Sequence, residues 1–306
     1  MDGSKIEAYL PAIPRGIFIE KQINSALVGK KITQTSWERY YTGQYSWQGE
    51  IINGFDKLSD QTIIFADASY ILTDKGALIS FGCFDNGLRY YARGETINPP
   101  KTTKSQGHGY HAKLFFDDGA CFCMNLYGWG TFFKLYAVDT KLIYPNGTSK
   151  HERYPFLPKA PIDVTDDEDF TYNKFTDWLS KNPGANIIEN CSTAKGAFKI
   201  DNPVMNYILL TSKIHPRTKT REITNAETGV LFDNTKKLIN EYKNEIRICE
   251  HTDIYGKTIA PHNEVLRMTS SALGLPCPVC GTPIEATPIT AGTKMYFCPA
   301  CQIIKK

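Results

Sequence analysis

The 306-residue sequence has no apolar run approaching the ~18 residues that a membrane-spanning helix requires. Residues 1–16 mix acidic and basic side chains and hold no apolar segment, so we expect no secretory signal. The net charge is also small: 35 basic and 32 acidic side chains give +3, which does not by itself indicate a polyanionic partner. The sequence lacks repeats and low-complexity tracts, and its 42% hydrophobic content excludes a largely disordered chain.

The length favours two or three domains, and the hydrophobic pattern changes along the chain accordingly. Apolar residues with helical spacing predict a helix over 13–29, with Pro14 in its first turn and Gly29 at its end. From 32 to 140, short β-branched and aromatic runs alternate with Asp-Gly and Asn-Gly turns, which predicts an antiparallel sandwich or barrel. One hairpin is expected over 114–124.

Four prolines within 144–163 predict a linker, and the pattern after it is helical. Thr165 with Glu168, and Thr224 with Glu227, have the spacing of capping boxes. Asn202, followed by proline, is typical of a helix start. We therefore predict domains at 1–143, 164–250 and 251–306, with 144–163 between the first two.

Nine cysteines are present, and four of them form two Cys-x-x-Cys pairs near the C-terminal end. Cys277 and Cys280 are separated by 17 residues from Cys298 and Cys301, a spacing typical of a tetrathiolate zinc site. All four positions around the ion would be filled by protein, so we expect one structural zinc ion and not a catalytic one. A unit of this size cannot build its own core, so metal binding would supply its folding energy.

Several stretches are shared with a known group of proteins. They are Leu10–Pro14 followed by Val28–Ile32, then Ile214–Pro216, and the segments Pro276–Ile284 and Tyr296–Gln302 around the cysteine pairs. Together with the order of helix, β-sandwich, linker, helical domain and cysteine hairpin, they resemble the formamidopyrimidine-DNA glycosylase / endonuclease VIII family of base-excision-repair enzymes.

The resemblance implies an α+β, multidomain fold. It has an N-terminal helix with an antiparallel β-sandwich, a central helix–two-turns–helix domain that binds DNA, and a C-terminal zinc hairpin. It also implies a double-stranded DNA partner, a flipped damaged base, and neither an organic cofactor nor a membrane. In that family a free N-terminal proline amine attacks the sugar and forms a Schiff base, and the adjacent glutamate moves protons. A sandwich lysine, a helical asparagine and a zinc-hairpin arginine hold phosphates.

The sequence departs from the family at the positions that carry this chemistry. Pro11 stands at the proline position, but ten residues precede it, so its nitrogen is an amide unless they are removed. Ala12 stands at the glutamate position, Ser69 at the lysine position and Thr293 at the arginine position. Glu7 is the carboxylate nearest this altered end, and we hypothesise that it replaces the family glutamate.

Six residues are expected to contact DNA: Asn202, His215, Arg217, Lys219, Lys294 and His111. Asn202 fits a helix cap as well, and the two roles are compatible because a helix N-terminus itself binds phosphate. Lys294 and the cluster from His215 to Arg221 fit solvated surface charge equally well. His111 and His108 lie in one Gly-rich segment without a third metal ligand nearby, which favours a loop role.

These observations predict a DNA-binding protein of the glycosylase family's architecture, acting in the cytoplasm on the nucleoid. If it is an enzyme, it is expected to release a flipped, damaged base by hydrolysis, with proline-driven strand cleavage lost or altered. The alternative is an inactive sensor of DNA lesions or structure, and a more distant one is an RNA-associated zinc-ribbon protein. Binding to either nucleic acid should weaken with salt.

Overall fold

The computed structural model describes residues 6, 13–37, 54–82, 87–98, 110–125, 132–158, 162–191, 198–290 and 293–305. The chain forms two compact units. The first contains Arg15–Pro158 and Glu250–Ile259, and the second contains Lys159–Cys249 and Ala260–Lys306. The change of unit at Pro158 falls inside the linker predicted at 144–163, whereas 250–259 returns to the first unit.

The first unit begins with helix α1, Arg15–Leu27. Ile19, Ile23 and Leu27 are spaced by four residues and are all buried, which gives the helix one apolar face. Gly29 ends it with a φ of 88°, a left-handed conformation that glycine adopts without a side-chain penalty. The expected end is confirmed, but the start is not: Pro14 precedes the helix and does not lie in its first turn.

Eight antiparallel strands form the sheet of the first unit. They are β1 Lys31–Trp37, β2 Gln61–Ala66, β3 Tyr70–Thr73, β4 Ala77–Gly82, β5 Leu88–Tyr91, β6 Ala112–Phe116, β7 Cys121–Met124 and β8 Phe132–Ala137. Their order is β5-β7-β6-β1-β2-β3-β4-β8. The hairpin predicted over 114–124 is confirmed as β6 and β7, with Gly119 at φ 84° in its turn.

The two halves of this sheet pack face to face. Trp37 of β1 and Phe133 of β8 lie four places apart in the strand order, yet their ring centroids are 5.2 Å apart. Phe55, in the short turn Phe55–Leu58, contacts both rings edge-on. This contact between non-neighbouring strands makes the sheet a sandwich, as predicted. A short helix α2, Lys150–Arg153, and a small hairpin of β9 His251–Thr252 with β10 Thr258–Ile259 complete the unit.

The second unit is helical: α3 Tyr172–Lys181, α4 Ile187–Cys191, α5 Asn202–Thr211 and α6 Asn225–Lys243. The capping box of Thr224 with Glu227 is confirmed at the start of α6. The expected box at Thr165 is wrong, because Thr165 hydrogen-bonds to the Asp163 carboxylate instead. The cap of α3 is Thr171.

A two-stranded hairpin, β11 Glu285–Thr290 with β12 Thr293–Phe297, follows in the second unit. The predicted α+β architecture of helix, sandwich, helical domain and C-terminal hairpin is therefore confirmed. Within the part of the chain that the structure describes, no helix has both the length and the apolar character needed to cross a membrane.

Candidate nucleic-acid interface and four-cysteine centre

The two Cys-x-x-Cys loops bring their four sulfur atoms together beside hairpin β11–β12. The Sγ atoms of Cys277, Cys280, Cys298 and Cys301 all lie within 4.8 Å of one another. Individual separations are 4.0 Å for Cys277–Cys301, 3.5 Å for Cys280–Cys298 and 3.4 Å for Cys280–Cys301. Four thiolates about 2.3 Å from one tetrahedral zinc ion would lie about 3.8 Å apart. The donor set and its spacing therefore fit a zinc ion.

The surroundings of the sulfur atoms differ. Hydrogen bonds with Thr282 lower the pKa of the Cys280 thiol to about 6, whereas desolvation raises the pKa of the Cys298 and Cys301 thiols. Cys277 and Cys298 are buried, and they share an apolar cluster with Leu210 of α5 and with Ile284. The centre is thus anchored on a helix as well as on its own hairpin.

A second contact joins the hairpin to helix α5. The Asn206 amide nitrogen lies 3.6 Å from the Met295 sulfur of β12 and 3.4 Å from the Met268 carbonyl oxygen, to which it donates. Asn206 is buried, so these contacts hold helix α5 against the hairpin in the interior of the protein.

The segment between α5 and α6, residues 213–221, is called here the basic turn. Its side chains alternate in burial. Lys213, Arg217, Lys219 and Arg221 are exposed, whereas Ile214, His215, Pro216, Thr218 and Thr220 are buried. Among the described residues, none of the four exposed basic side chains forms an ion pair. The turn therefore presents four positive charges that have no ion-pair partner in the described part of the chain.

His215 is part of the interior of this turn. It is only 5% exposed, and its Nδ1 accepts a hydrogen bond from the Arg217 backbone N–H at 3.1 Å. Its ring meets the Phe297 ring edge-on, with centroids 4.4 Å apart. Burial and the nearby Arg217 charge lower the pKa of His215, which favours the neutral ring that this acceptor role needs. The structure thus places His215 as a support for Arg217.

Asn202 lies at the N-terminus of α5, but it is not the cap. The cap position is Asp201, so Asn202 is the first helical residue, which corrects the predicted cap by one position. The carboxylate of Asp201 forms an ion pair with Arg267. The Asn202 Oδ1 atom is buried without a hydrogen-bond partner among the described residues.

The other predicted contacts are dispersed. Lys294 is exposed on β12 of the hairpin. His111 belongs to the β-sandwich and is only 2% exposed, so its ring presents almost no surface. Pro11 and Glu7, the two candidate catalytic residues, lie outside the described residues, as does Ala12.

Sequence reasoning missed Lys150, which approaches the turn between β2 and β3. At this turn the family resemblance places a lysine, and this chain has Ser69 instead. The buried Asp67 carboxylate accepts the backbone N–H groups of Ser69 and Tyr70, each at 2.7 Å. It also forms an ion pair with Lys150, whose Nζ lies 4.0 Å from a carboxylate oxygen of Glu20. A cation is therefore present at this turn, supplied by another element.

Lys150 was missed because it follows Ser69 at a long distance along the sequence. The available signal was local: Ser149 and Glu152 have capping-box spacing, and they do cap α2, the helix that carries Lys150. That signal predicts a helix start but not the tertiary contact.

Part of the chain matches curated proteins, although no family model matches it. The formamidopyrimidine-DNA glycosylase of Ligilactobacillus salivarius strain UCC118 is 32% identical over 116 residues, covering 35% of this chain and 38% of that protein. The glycosylase of the same name from Latilactobacillus sakei strain 23K is 31% identical over 104 residues, covering 34% and 37%. The matched segments thus span well under half the length of these relatives.

Solved structures match nearly the whole chain in fold. The Lactococcus lactis Fpg in complex with DNA containing an abasic site has a TM-score of 0.67 at 17% identity, covering 95% of this chain and 99% of that one. The wild-type Lactococcus lactis Fpg (MutM) with DNA containing N7-benzyl-Fapy-dG has a TM-score of 0.67 at 18% identity, covering 96% and 100%. These likenesses establish the fold, and with the curated matches they confirm the family resemblance.

Proposed function

We propose that this chain, a relative of the formamidopyrimidine-DNA glycosylases in fold and in part of its sequence, binds double-stranded DNA and recognises a damaged or flipped base. The basic turn carries the proposal. Four exposed cations without ion-pair partners among the described residues, held on a buried backbone, suit the phosphates of a nucleic-acid strand. The solved relatives are complexes with abasic-site and Fapy-dG DNA, which suggests the substrate class. Such a protein would act on the nucleoid.

The four cysteines would hold one structural zinc ion in this function. Every ligand position would be filled by a thiolate, so no open position is left for water or substrate. The ion would therefore supply folding energy to the hairpin that carries Lys294, and the chemistry would fall to other residues.

An inactive lesion sensor is the second candidate, and the sequence at the catalytic positions favours it. Pro11 is preceded by ten residues, and Ala12 offers no proton-transferring group beside it. A protein that binds a lesion without an amine nucleophile or its acid would recognise the site and leave the strand intact. Base release by a water activated at Glu7 is the enzymatic counterpart of this proposal.

The binding proposal is tested by fluorescence anisotropy on a duplex that contains an abasic-site analogue, compared with the undamaged duplex and with a matched RNA duplex. Titration over a range of salt concentrations gives the number of phosphate contacts, because each contributes about −0.9 to the slope of log K against log salt. We expect tighter binding to the lesion duplex and a steep salt dependence. A flat salt dependence, or a preference for RNA, would contradict the proposal.

The double variant R217A/K219A tests the basic turn within that assay. Each removed phosphate contact weakens binding and makes the slope of log K against log salt less steep. We therefore expect at least about tenfold weaker binding and a slope smaller in magnitude by about 2. The matched control is K237A, an exposed lysine on α6 away from the turn. Equal affinities for the two variants would show that the turn does not contact DNA.

A further inference from the structure

We propose that Gln302 couples zinc loading to the conformation of the basic turn. Gln302 directly follows the last cysteine and is only 1% exposed. Its side-chain Oε1 accepts the backbone N–H of Cys298 at 2.9 Å, and its Nε2 donates to the Ile214 carbonyl oxygen at 2.7 Å. One carboxamide therefore joins a backbone group of the four-cysteine centre to the start of the basic turn.

The cysteine side of this bridge depends on the closed Cys298–Cys301 loop. The Gln302 backbone N–H donates to the Cys298 carbonyl oxygen at 2.9 Å, so both the backbone and the side chain of Gln302 form hydrogen bonds with the same loop. The loop would close around a bound ion, since it brings the Cys298 and Cys301 sulfur atoms to the same centre. A bound ion would add metal–sulfur bonds to these hydrogen bonds, so its removal would leave the loop held by the Gln302 contacts alone.

The turn side of the bridge is where the chain leaves helix α5. Lys213 has a φ of 56°, and the Ile214 N–H donates back to the Leu209 carbonyl oxygen at 2.9 Å. The Ile214 side chain is buried, and Gln302 supplies a hydrogen bond to its carbonyl oxygen. Without the Gln302 side-chain donor, the buried Ile214 carbonyl oxygen would have neither a protein partner nor water to hydrogen-bond to. Buried carbonyl groups rarely remain in that state.

Two further contacts connect residues beside the Cys298–Cys301 loop to the basic turn and the residues that follow it. Phe297, directly before Cys298, packs its ring against His215, which holds the Arg217 N–H. Lys305, near the end of the chain, donates to the Glu222 carbonyl oxygen at 2.9 Å and forms an ion pair with Glu227 of the α6 capping box. Residues on either side of the Cys298–Cys301 loop thus contact His215 within the basic turn and Glu222 directly after its end.

The consequence is that zinc affinity and the order of the basic turn are linked: zinc stabilises the turn, and an ordered turn stabilises the zinc-bound loop. This coupling deepens the proposed function. Its relevance to DNA rests on that function, because the basic turn carries the proposed phosphate contacts. The coupling itself concerns the protein alone and is measured without DNA.

The test is hydrogen–deuterium exchange of the full-length chain, with zinc and after removal of zinc by a chelator. We expect peptides covering 213–221 to exchange at least about tenfold faster in the zinc-free protein, whereas peptides of β1 and β6 in the first unit keep their rates. Unchanged exchange of 213–221 on zinc removal would overturn the coupling.

Q302M isolates the bridge, since methionine has a similar length and neither hydrogen-bonding group. We expect the zinc-loaded variant, verified at one zinc by native mass spectrometry, to show faster exchange of 213–221 and weaker binding to zinc. The matched control I303Q changes the neighbouring residue, which is 74% exposed, and should behave as wild type. Wild-type exchange in zinc-loaded Q302M would overturn the role of Gln302.

If Q302M does not fold, the zinc-dependent exchange of the wild-type chain still decides the coupling. Failure of the proposed function is distinguishable from failure of the coupling. Zinc-dependent exchange without DNA binding would leave the coupling in place and remove the function, whereas DNA binding with zinc-independent exchange would do the reverse.

Discussion

His215 is a buried residue that holds the backbone of an exposed basic side chain. Its ring is enclosed by the basic turn and Phe297, and its Nδ1 holds the backbone N–H of Arg217. A protonated ring would lose that acceptor and would place a charge in a buried site beside the Arg217 cation. The lowered pKa of His215 expresses the free-energy cost of that charge.

The lowered pKa of His215 predicts a loss of stability in acid. The unfolded chain takes up a proton near the ordinary histidine pKa of 6.5, whereas the folded chain takes it up at lower pH. The contribution is therefore complete above pH 6.5 and is lost as the pH falls towards the folded-state value. We expect the free energy of unfolding, measured in urea, to decrease between pH 7.5 and pH 5.

H215N provides the matched comparison. An asparagine side-chain oxygen can accept the Arg217 N–H, but the side chain does not titrate in this range. The carboxylates whose pKa values are lowered by their partners, such as Glu227 and Asp118, remain in both proteins and cancel. A smaller acid-induced loss in H215N is expected, and identical pH profiles would assign the effect to other groups.

Individual site residues were predictable where the signal is local and less so where it is tertiary. The spacing of the four cysteines is sufficient for their cluster, because each Cys-x-x-Cys loop carries its two ligands on its own backbone. The helix start at Asn202 was displaced by one residue, since Asp201 also suits the cap position. The ion pair between Lys150 and Asp67 depends on tertiary packing, which the spacing of residues along the sequence does not indicate.

The hairpin β11–β12 depends on elements outside itself. Ile284, directly before β11, belongs to a small apolar cluster with Leu210 of α5, Met268 and two of the cysteines, and Tyr296 of β12 packs against this cluster. A cluster of this size supplies little stabilisation on its own, so we expect a metal ion bound by the four cysteines to contribute the rest.

Zinc loss is therefore expected to unfold the hairpin selectively. In C280A, which removes an exposed side chain and creates no core cavity, we expect zinc content to fall well below one per chain and amide protection of β12 to disappear. The control is C191A, whose thiol is buried outside the cluster, and it should retain one zinc. A C280A protein with full zinc content and a wild-type Tm would exclude a four-thiolate site.

Whole elements were predicted well where hydrophobic period and caps agree. Both signals are present at α6, where the box of Thr224 with Glu227 begins a long amphipathic helix. At Thr165 the same spacing is present, but Asp163 offers its carboxylate to the threonine N–H and hydroxyl, and a turn forms instead. A capping motif thus predicts a helix only when no nearer acceptor competes.

For the molecule as a whole, the sequence predicted the order of domains but not the strand order. Hairpins between sequence neighbours follow from Asp-Gly turns, as in β6 and β7. The pairing of β1 with β6 and of β4 with β8 joins strands far apart in the chain, and period-2 alternation contains no information on partners. The family resemblance supplied the rest of the architecture, since the fold is shared at 17–18% identity.

The residues at the positions that the family resemblance assigns to strand cleavage differ in this chain, so the proposed recognition of DNA and the chemistry on it can be tested separately. Pro11 is followed by Ala12 and preceded by ten residues, so its nitrogen is an amide in the full chain. An amide nitrogen is not nucleophilic, because its lone pair is delocalised into the carbonyl group. Schiff-base formation with an abasic site is therefore expected to fail, whereas hydrolytic release of a damaged base requires only an activated water.

Borohydride trapping on abasic and oxidised duplexes measures this directly. We expect no covalent adduct with the full chain, and an adduct with a version that begins at Pro11 and carries A12E, because that version restores both the free secondary amine and its acid. Base release without trapping would assign a hydrolase, and E7Q should then abolish it. Lesion binding without any product would assign the sensor. An adduct formed by protein whose measured mass still includes residues 1–10 would show that an amine other than that of Pro11 forms the Schiff base, and it would contradict the expected loss of strand-cleavage chemistry.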